Sequence, residues 1–474
     1  MHFLLSINIL YNSASLSEGT MMSKKVLIIS VVIVGFLAAL PLIGNISIQK
    51  LIDERIGMLN ENGVQVKSHD NGSGYLTTKS HYEFILEDPE AFESYLNTLA
   101  KAQVPAYLHA MLDDVAMAAD VTYSNLLFND DVSIDLYPIA FSKTAGDRMK
   151  VEDVALYDQM QQMLENREFM YHMDYNAAAA TFKGNIKDID KELIFKDGKR
   201  AKIIFEAATF KGTGTLFEPE SIQMHVKNAD VDFSLPEDVK MQLSLVNLES
   251  SSIFNTKNSF DLNYKADKLH FSFEDNLTNV RVDVSEMMTI TNSSVDNAKL
   301  ETKINASVKH FELHDANSSL ELQNFSFEMD ASDIDEAAYE AFQKASEQAG
   351  ASSRYTMLAS LGVVSKGFNL HVNRLSAEKI AIKNSGLMDG FDHKIDIIVK
   401  ADDNLIKKMQ MTPVALLKNI DINANLQFAS AFYDFMKTQG NLSMADTFAK
   451  KLGDKVIFDI TLQEGKVKVN GQSL

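Results

Sequence analysis

The chain has 474 residues, 46% of them hydrophobic, including 28 Phe, and 23% charged, which is the composition of a folded body and not of a disordered tether. A formal charge of −20 argues against nucleic-acid phosphate or an anionic lipid surface as the main partner. The absence of Cys excludes disulfides, thiol catalysis and thiolate metal sites.

Residues 1–25 read as a cytoplasmic tail, of which residues 1–20 are read as untranslated. Met1 to Thr20 contains no Lys or Arg and ends at Glu18-Gly19-Thr20 before Met21-Met22. Glu-Gly codons can spell a bacterial ribosome-binding sequence at the right distance from such a start; a short disordered tail is the other reading. Lys24-Lys25 then lead into nineteen uncharged residues, Val26 to Gly44. As a helix this run is about 28 Å long, the thickness of a bilayer's hydrocarbon core, so residues 26–44 are expected to be a signal-anchor transmembrane helix. The lysines hold the tail in the cytoplasm and place the body in the periplasm, although Lys50 and Arg55, accompanied by Asp53 and Glu54, sit on the far side. A cleaved signal peptide is the rival reading. Against it stand the length of the run, Pro41 and Leu42-Ile43 in place of small cleavage-site residues, and the lack of a Cys for lipid attachment.

Residues 45–215 read as an N-terminal periplasmic α+β region. Val64 and Val66, then Tyr75 to Leu86, flank the turn-forming Asp70-Asn71-Gly72-Ser73-Gly74 and predict a hairpin. Asp88-Pro89 opens a helix with Phe92, Leu96, Leu99, Tyr107, Leu108, Met111 and Leu112 at helical spacing, Pro105 starting a second segment. Residues 216–474 read as β-rich with helical insertions. Period-two alternation recurs at Ile222/Met224/Val226, Val231/Phe233/Leu235, Met241/Leu243/Leu245, Phe260/Leu262/Tyr264, Leu269/Phe271/Phe273, Val280/Val282/Val284, Ile304/Ala306/Val308 and Phe325/Phe327/Met329. A short phrase returns within the series, as in Val246-Asn247-Leu248, His310-Phe311-Glu312-Leu313, Asn324-Phe325-Ser326-Phe327 and Asn419-Ile420-Asp421-Ile422, which suits an elongated, repetitive sheet. Helices are predicted from a Ser332 cap over Asp333 to Gln348 with Gly350 ending it, around Phe428, Phe432, Phe435 and Met436 before Gly440, and over Met444 to Leu452 before Gly453. The chain closes with Val456/Phe458/Ile460/Leu462, a Glu464-Gly465 turn, Val467/Val469 and Asn470-Gly471.

The fold class is therefore α+β: an N-terminal transmembrane helix, then a strand-dominated, mostly antiparallel body with a few amphipathic helices. The anchor, Gly74-Tyr75-Leu76-Thr77-Thr78, Ala338-Tyr339-Glu340-Ala341-Phe342 and Gly465-Lys466-Val467-Lys468-Val469-Asn470-Gly471-Gln472 together resemble the YdgA-like family of Gram-negative bacteria, in the same order and over nearly the whole body from Lys24. Leu76 stands where that pattern has Phe. The resemblance implies an inner-membrane-anchored cell-envelope protein of unestablished activity, and it supplies no catalytic residues.

Motifs for catalysis are absent: there is no Gly-x-Ser-x-Gly elbow, His-Glu-x-x-His, Walker loop or Gly-x-Gly-x-x-Gly. Ser376-Ala377-Glu378-Lys379 matches Ser-x-x-Lys, but Leu375, Ala377 and Ile380-Ala381-Ile382 read as strand, where that pair does not meet. His310-x-Glu312-x-His314 is a weak metal candidate, its three side chains sharing one strand face, and an ordinary wet sheet face is the bland alternative. No cofactor is expected. The Phe rows, notably Phe271, Phe273, Phe325 and Phe327, either fill a closed core or line an apolar groove for an acyl chain or extended peptide. An anchor followed by many alternating strands is similar in architecture to the AsmA-like lipid-handling proteins. The expected function is a non-enzymatic envelope-maintenance or binding factor that engages another envelope protein or an amphipathic ligand, with an AsmA-like groove protein or a periplasmic hydrolase as alternatives. A reporter active only when exported, fused after Leu474, is expected to be active; activity confined to a cytoplasmic reporter would reverse the topology.

Overall fold

The computed structural model describes residues 57–473 except 74–76, 93, 95–113, 125–130, 215–218, 235–238, 257, 276–277, 316–317, 350–353, 383–384, 413–414 and 440–444. The anchor and the helical positions from Leu96 to Leu112 lie outside these residues, and no described helix is long and apolar enough to cross a membrane. Two compact units are present, one up to Ala178 together with Ile194–Lys199, the other Ala179–Leu193 and Arg200–Leu474. The boundary expected at 215/216 therefore falls inside the second unit, because the strands on both sides of it are hydrogen-bonded to one another.

The first unit is an antiparallel meander of β1 (Val64–Ser73), β2 (Thr77–Leu86), β3 (Ala116–Ser124), β4 (Asp131–Ala140) and β5 (Tyr171–Asn176). The predicted first hairpin is present, but Asp70 to Ser73 extend β1, and Ser73 pairs with Thr78. Asp88 accepts a hydrogen bond from the Ala91 amide at 2.9 Å, opening the helix read there, and Phe92 is buried. Between β4 and β5 lie α1 (Lys143–Glu152) and α2 (Val154–Glu165). Asp153 caps α2 through the Leu156 amide at 3.0 Å and spends its other oxygen on the Lys196 amide at 2.8 Å. Leu156, Met160, Met163 and Leu164 make the buried stripe of α2, at the i, i+4, i+7, i+8 spacing of an amphipathic helix.

The second unit is one antiparallel succession. After β6 (Thr181–Ile186), β7 (Ile189–Ile194), β8 (Arg200–Glu206) and β9 (Ala208–Gly214) come β10 (Pro219–Ser234), β11 (Lys240–Phe254), β12 (Phe260–Glu274), β13 (Asn279–Asp296), β14 (Lys299–His314) and β15 (Ser319–Asp335). The helices α3 (Glu336–Ala349) and α4 (Arg354–Lys366) lead to β16 (Phe368–Ile382) and β17 (Met388–Val399). Then α5 (Leu405–Met411), α6 (Ala415–Lys418), β18 (Ile420–Ala429), α7 (Ser430–Thr438), β19 (Lys450–Leu452), β20 (Lys455–Gln463), β21 (Lys466–Val469) and β22 (Gln472–Ser473) complete it. β9 and β8 run along the two halves of β10, each strand from β10 to β18 pairs with the next, and β18 pairs with β20.

Three helix expectations change. Ser332 lies in β15, paired with Asn369, and Asp335 caps α3 by accepting from the Ala338 amide at 3.0 Å. Phe428 is in β18 opposite Phe391, with α7 beginning only at Ser430. Met444 to Leu452 is not one helix: Ala445–Phe448 is a single 3₁₀ turn, and Lys450–Leu452 pairs with β20.

The larger correction concerns strand length. Phe260/Leu262/Tyr264 and Leu269/Phe271/Phe273 are two halves of β12, and the Ile222 and Val231 series share β10. What divides them is a line of residues that runs across the sheet. Asn247, Glu286 and Asn324 sit at φ of 50°, 47° and 50° in β11, β13 and β15, and Ala207 at 49° between β8 and β9. The flanking pairs Lys268↔Ser285 and Ala266↔Met287, Ser285↔His310 and Met287↔Val308, and His310↔Gln323 and Val308↔Phe325 place Asp267, Glu286, Lys309 and Asn324 on one transverse row. Side chains tie it together: Asn247 donates to Asp267 at 2.8 Å, Lys309 to Glu286, and Asn324 to Glu378.

A left-handed residue interrupts the two-residue pleat, so the apolar alternation changes parity at this seam. In β12 it runs 262, 264, 266 and then 269, 271, 273; in β15 it runs 320, 322 and then 325, 327, 329. The series on the two sides of the seam thereby stay on one face of strands 15 to 18 residues long, with Ser250, Thr289 and Thr291 taking apolar places in β11 and β13. Replacing Asn324 by Gly should leave stability nearly unchanged, whereas Asn324→Val should cost about 1–2 kcal/mol in urea unfolding, because a β-branched residue resists this backbone region. A Val variant as stable as the parent would mean that the seam does not impose the left-handed conformation.

Candidate functional site

Burial within the second unit is uneven. Near its start Phe182, Ile189, Leu193, Ile203, Phe205 and Phe210 are buried, and near its end Tyr433, Val456, Phe458 and Val469 form a buried cluster. Between them, in β11 to β15, the buried positions in the strands are Ser252, Ala266, Ser293 and Leu300. The large apolar side chains of the same strands are half-buried, and Tyr264 is 39% exposed.

These residues are aligned in register. Val231, Leu243, Phe271, Val282, Leu313, Leu320 and Ile382 make one continuous row across seven strands. On the other side of the seam Ala306, Phe327, Leu375, His393, Leu426 and Phe458 make another. Neighbouring strands stand about 4.8 Å apart, so each row is an apolar track of roughly 25–30 Å. Of the four Phe singled out by sequence, Phe271 and Phe273 lie on one side of the seam and Phe325 and Phe327 on the other, and all four are half-buried. Among the described residues, α3 and α4 touch β15, α6 touches β18 and α7 lies on β17, β18 and β20; α3 also reaches the β11–β12 connection, where Asn258 donates to Glu336 and Glu340 at 3.0 and 3.2 Å. Within this unit and among the described residues, that leaves an open apolar face over β11 to β14, bounded by β10, whose Val226 and Phe233 are buried.

The opposite face is polar and internally paired. His270 faces Asp283 at 2.7 Å, and His371 faces Asp396 at 2.8 Å, each pair directly opposed in the ladder. Burial pushes the Asp283 carboxyl up, but hydrogen bonds from His270 and Arg281 outweigh this and hold it below the usual range. The weak metal candidate sits on this face: His314 Nε2 is 2.7 Å from Glu312, while His310 is 3.9 Å from Glu312 and 3.8 Å from Glu321. Among the described residues no group of three or more His, Asp and Glu side chains is arranged to hold a metal ion. Ser376 is buried and accepts from Arg374 at 2.9 Å, whereas Lys379 is paired with Asp389, so the Ser-x-x-Lys residues are on a strand with separate partners.

Sequence reading missed a network in the first unit. Asp120 accepts from Tyr137 and Arg167 at 3.0 and 2.7 Å, and its other oxygen is 2.6 Å from His81 Nδ1. Arg167 also lies over the Tyr137 ring, 4.0 Å from its centroid. Burial raises Asp120, but the bonds from His81, Tyr137 and Arg167 more than offset it and hold the carboxyl low; burial and the bond to Asp120 push Tyr137 up to about 12. The alternation of His81 and Asp120 with buried neighbours was the available signal, but their pairing depends on register.

No family model, curated protein or solved structure matches this chain.

The Asp120 hydrogen bond raises the His81 pKa above its ordinary value. The pair therefore stabilises the fold fully below the unfolded histidine value of about 6.5 and loses that contribution as pH rises through the higher folded value. His81→Gln should lower the melting temperature more near pH 5.5 than near pH 8.5. Equal losses at both pH values would show that His81 gains no proton affinity on folding.

Proposed function

We propose that this chain is a non-enzymatic, membrane-anchored protein of the bacterial cell envelope that binds an amphipathic ligand along the open apolar face of β11 to β14. The observation that carries this reading is the half-burial of aligned Phe, Leu and Val rows between two well-buried ends of the same unit. A contiguous apolar surface of this extent is uncommon on a soluble protein and marks a place where something else is bound. The Val26–Gly44 anchor, the periplasmic location and membership of the YdgA-like family belong to the same proposal, since a tether at the bilayer keeps such a face beside a supply of acyl chains. The chemical side agrees with binding: the His and carboxylate groups of the polar face are hydrogen-bonded to each other across the ladder.

Half-buried side chains make a distinctive prediction. Phe271→Ala and Phe327→Ala should each cost about 2 kcal/mol, below the ~3–5 kcal/mol of a fully buried Phe, because part of each ring already meets solvent. Both variants should also weaken binding of a fluorescent fatty acid. A loss of several kcal/mol with no change in fatty-acid binding would make these rings core residues and end the groove reading.

A further inference from the structure

The open face is not uniform along the strands. Between the seam and the strand ends at Lys240, Glu274, Asn279 and His314, its side chains are aliphatic or aromatic, as in Leu243, Phe271, Val282 and Leu313. On the other side of the seam, Ser250, Tyr264 and Thr289 stand directly opposite one another on β11, β12 and β13, and Thr291 follows one step along β13. The three aligned hydroxyls span about 10 Å across the strands. No side chain among the described residues hydrogen-bonds them, in contrast to Ser293, which donates to the Asn258 carbonyl at 2.8 Å and lies 3.2 Å from Thr302. No charged residue lies in the apolar rows on this face of β11 to β14, in a chain whose formal charge is −20.

On the reading that this face binds an amphipathic ligand, we propose that the ligand is a diacyl glycerolipid of zero net charge, held in one direction. Its ester carbonyls accept from the Ser250, Tyr264 and Thr289 hydroxyls, and its acyl chains cross the seam and run toward the strand ends at Lys240 and Glu274. Ester carbonyls only accept hydrogen bonds, so hydroxyls standing in an otherwise apolar surface match them without the desolvation cost of a buried charge. The stretch from Leu248 to Met241 is about 24 Å long, enough for a chain that spans the ~15 Å of one leaflet's hydrocarbon. An uncharged surface on a strongly negative protein disfavours an anionic lipid.

The test uses the full-length chain in phosphatidylethanolamine vesicles containing one of two photoreactive phosphatidylethanolamines, with a diazirine either at the acyl terminus or beside the ester. The terminal probe should label peptides around Leu243, Phe271 and Leu313, and the ester-side probe those around Tyr264 and Thr289. Labelling of the same peptides by both probes, or the reverse pattern, would overturn the direction, and equal labelling from a phosphatidylglycerol probe would overturn the charge selection. A variant carrying Ser250→Ala, Tyr264→Phe and Thr289→Val keeps the surface shape. It should bind the phosphatidylethanolamine probe about tenfold more weakly while keeping its affinity for a fluorescent fatty acid. Unchanged binding of both probes would refute the ester contacts alone, whereas absence of fatty-acid binding and of all cross-links in the parent protein would overturn the binding reading itself.

Discussion

Everything in the second unit depends on how a long strand keeps one side apolar. A regular strand does so by a strict two-residue period, and a single slip moves every later side chain to the other face. Here the period breaks in every strand from β11 to β15 at the same transverse line, where residues near φ +50° occupy alternate strands and their side chains bond to the strands between. Because the break is shared, the register on both sides is preserved. The sequence compensates by shifting its apolar positions by one residue, as at Ala266 and Leu269 or Leu322 and Phe325. The result is two consecutive residues, Asp267-Lys268 in β12, that are both exposed at the seam.

A face built this way has to be held by something other than burial. In β11 to β15 the fully buried strand positions are few and mostly small. The backbone ladders of 15 to 18 residues per strand supply cooperative hydrogen bonding, and aligned Phe, Leu and Val pairs add about 0.2–1 kcal/mol each. The ion pairs of the other face contribute little, since Lys309 and Glu286 are each about 60% exposed and such pairs are worth ~0–1 kcal/mol. Full side-chain burial is thus concentrated at the two ends, and the centre relies on its ladders and half-buried rows.

The alternation of the long strands was legible from residue types, and so was the stripe containing Phe271, Phe273, Phe325 and Phe327. The length of the strands was not. A parity break between Tyr264 and Leu269 looks like a strand ending, because nothing in Asp267-Lys268 distinguishes a seam from a turn. The recurring Asn before an apolar residue, at Asn247-Leu248 and Asn324-Phe325, was the trace of the left-handed positions, and Asn is the side-chain-bearing residue that tolerates them best. Ser332 resembled a helix cap until β16 paired with it, which is a tertiary event. The hydroxyl row escaped notice because Ser250 and Thr289 read as wet-face residues unless the seam's parity change is known. Helix α2 was hidden by its Gln and Asp residues, and its cap, Asp153, is recognisable only through the amides it binds.

The extent of the open face follows from where aromatic packing resumes. In β17 the row passes through His393, whose ring stacks on Phe391 at 4.9 Å and meets the edge of Phe428 at 4.7 Å. Burial among these rings lowers the histidine's proton affinity, and its Nδ1 is buried there without a hydrogen-bond partner among the described residues. Phe432 of α7 lies 6.1 Å from both Phe391 and Phe428, which places that helix as the cover for this part of the sheet. At the other end Gly212 leaves room for nothing larger, since a Cβ would come within 2.2 Å of both the Phe182 ring and the Ser221 carbonyl. Close backbone packing at one end and a helix-capped aromatic cluster at the other thus bound the interval of apolar strand surface, and α3 closes its edge at Asn258, which donates to Glu336 and Glu340.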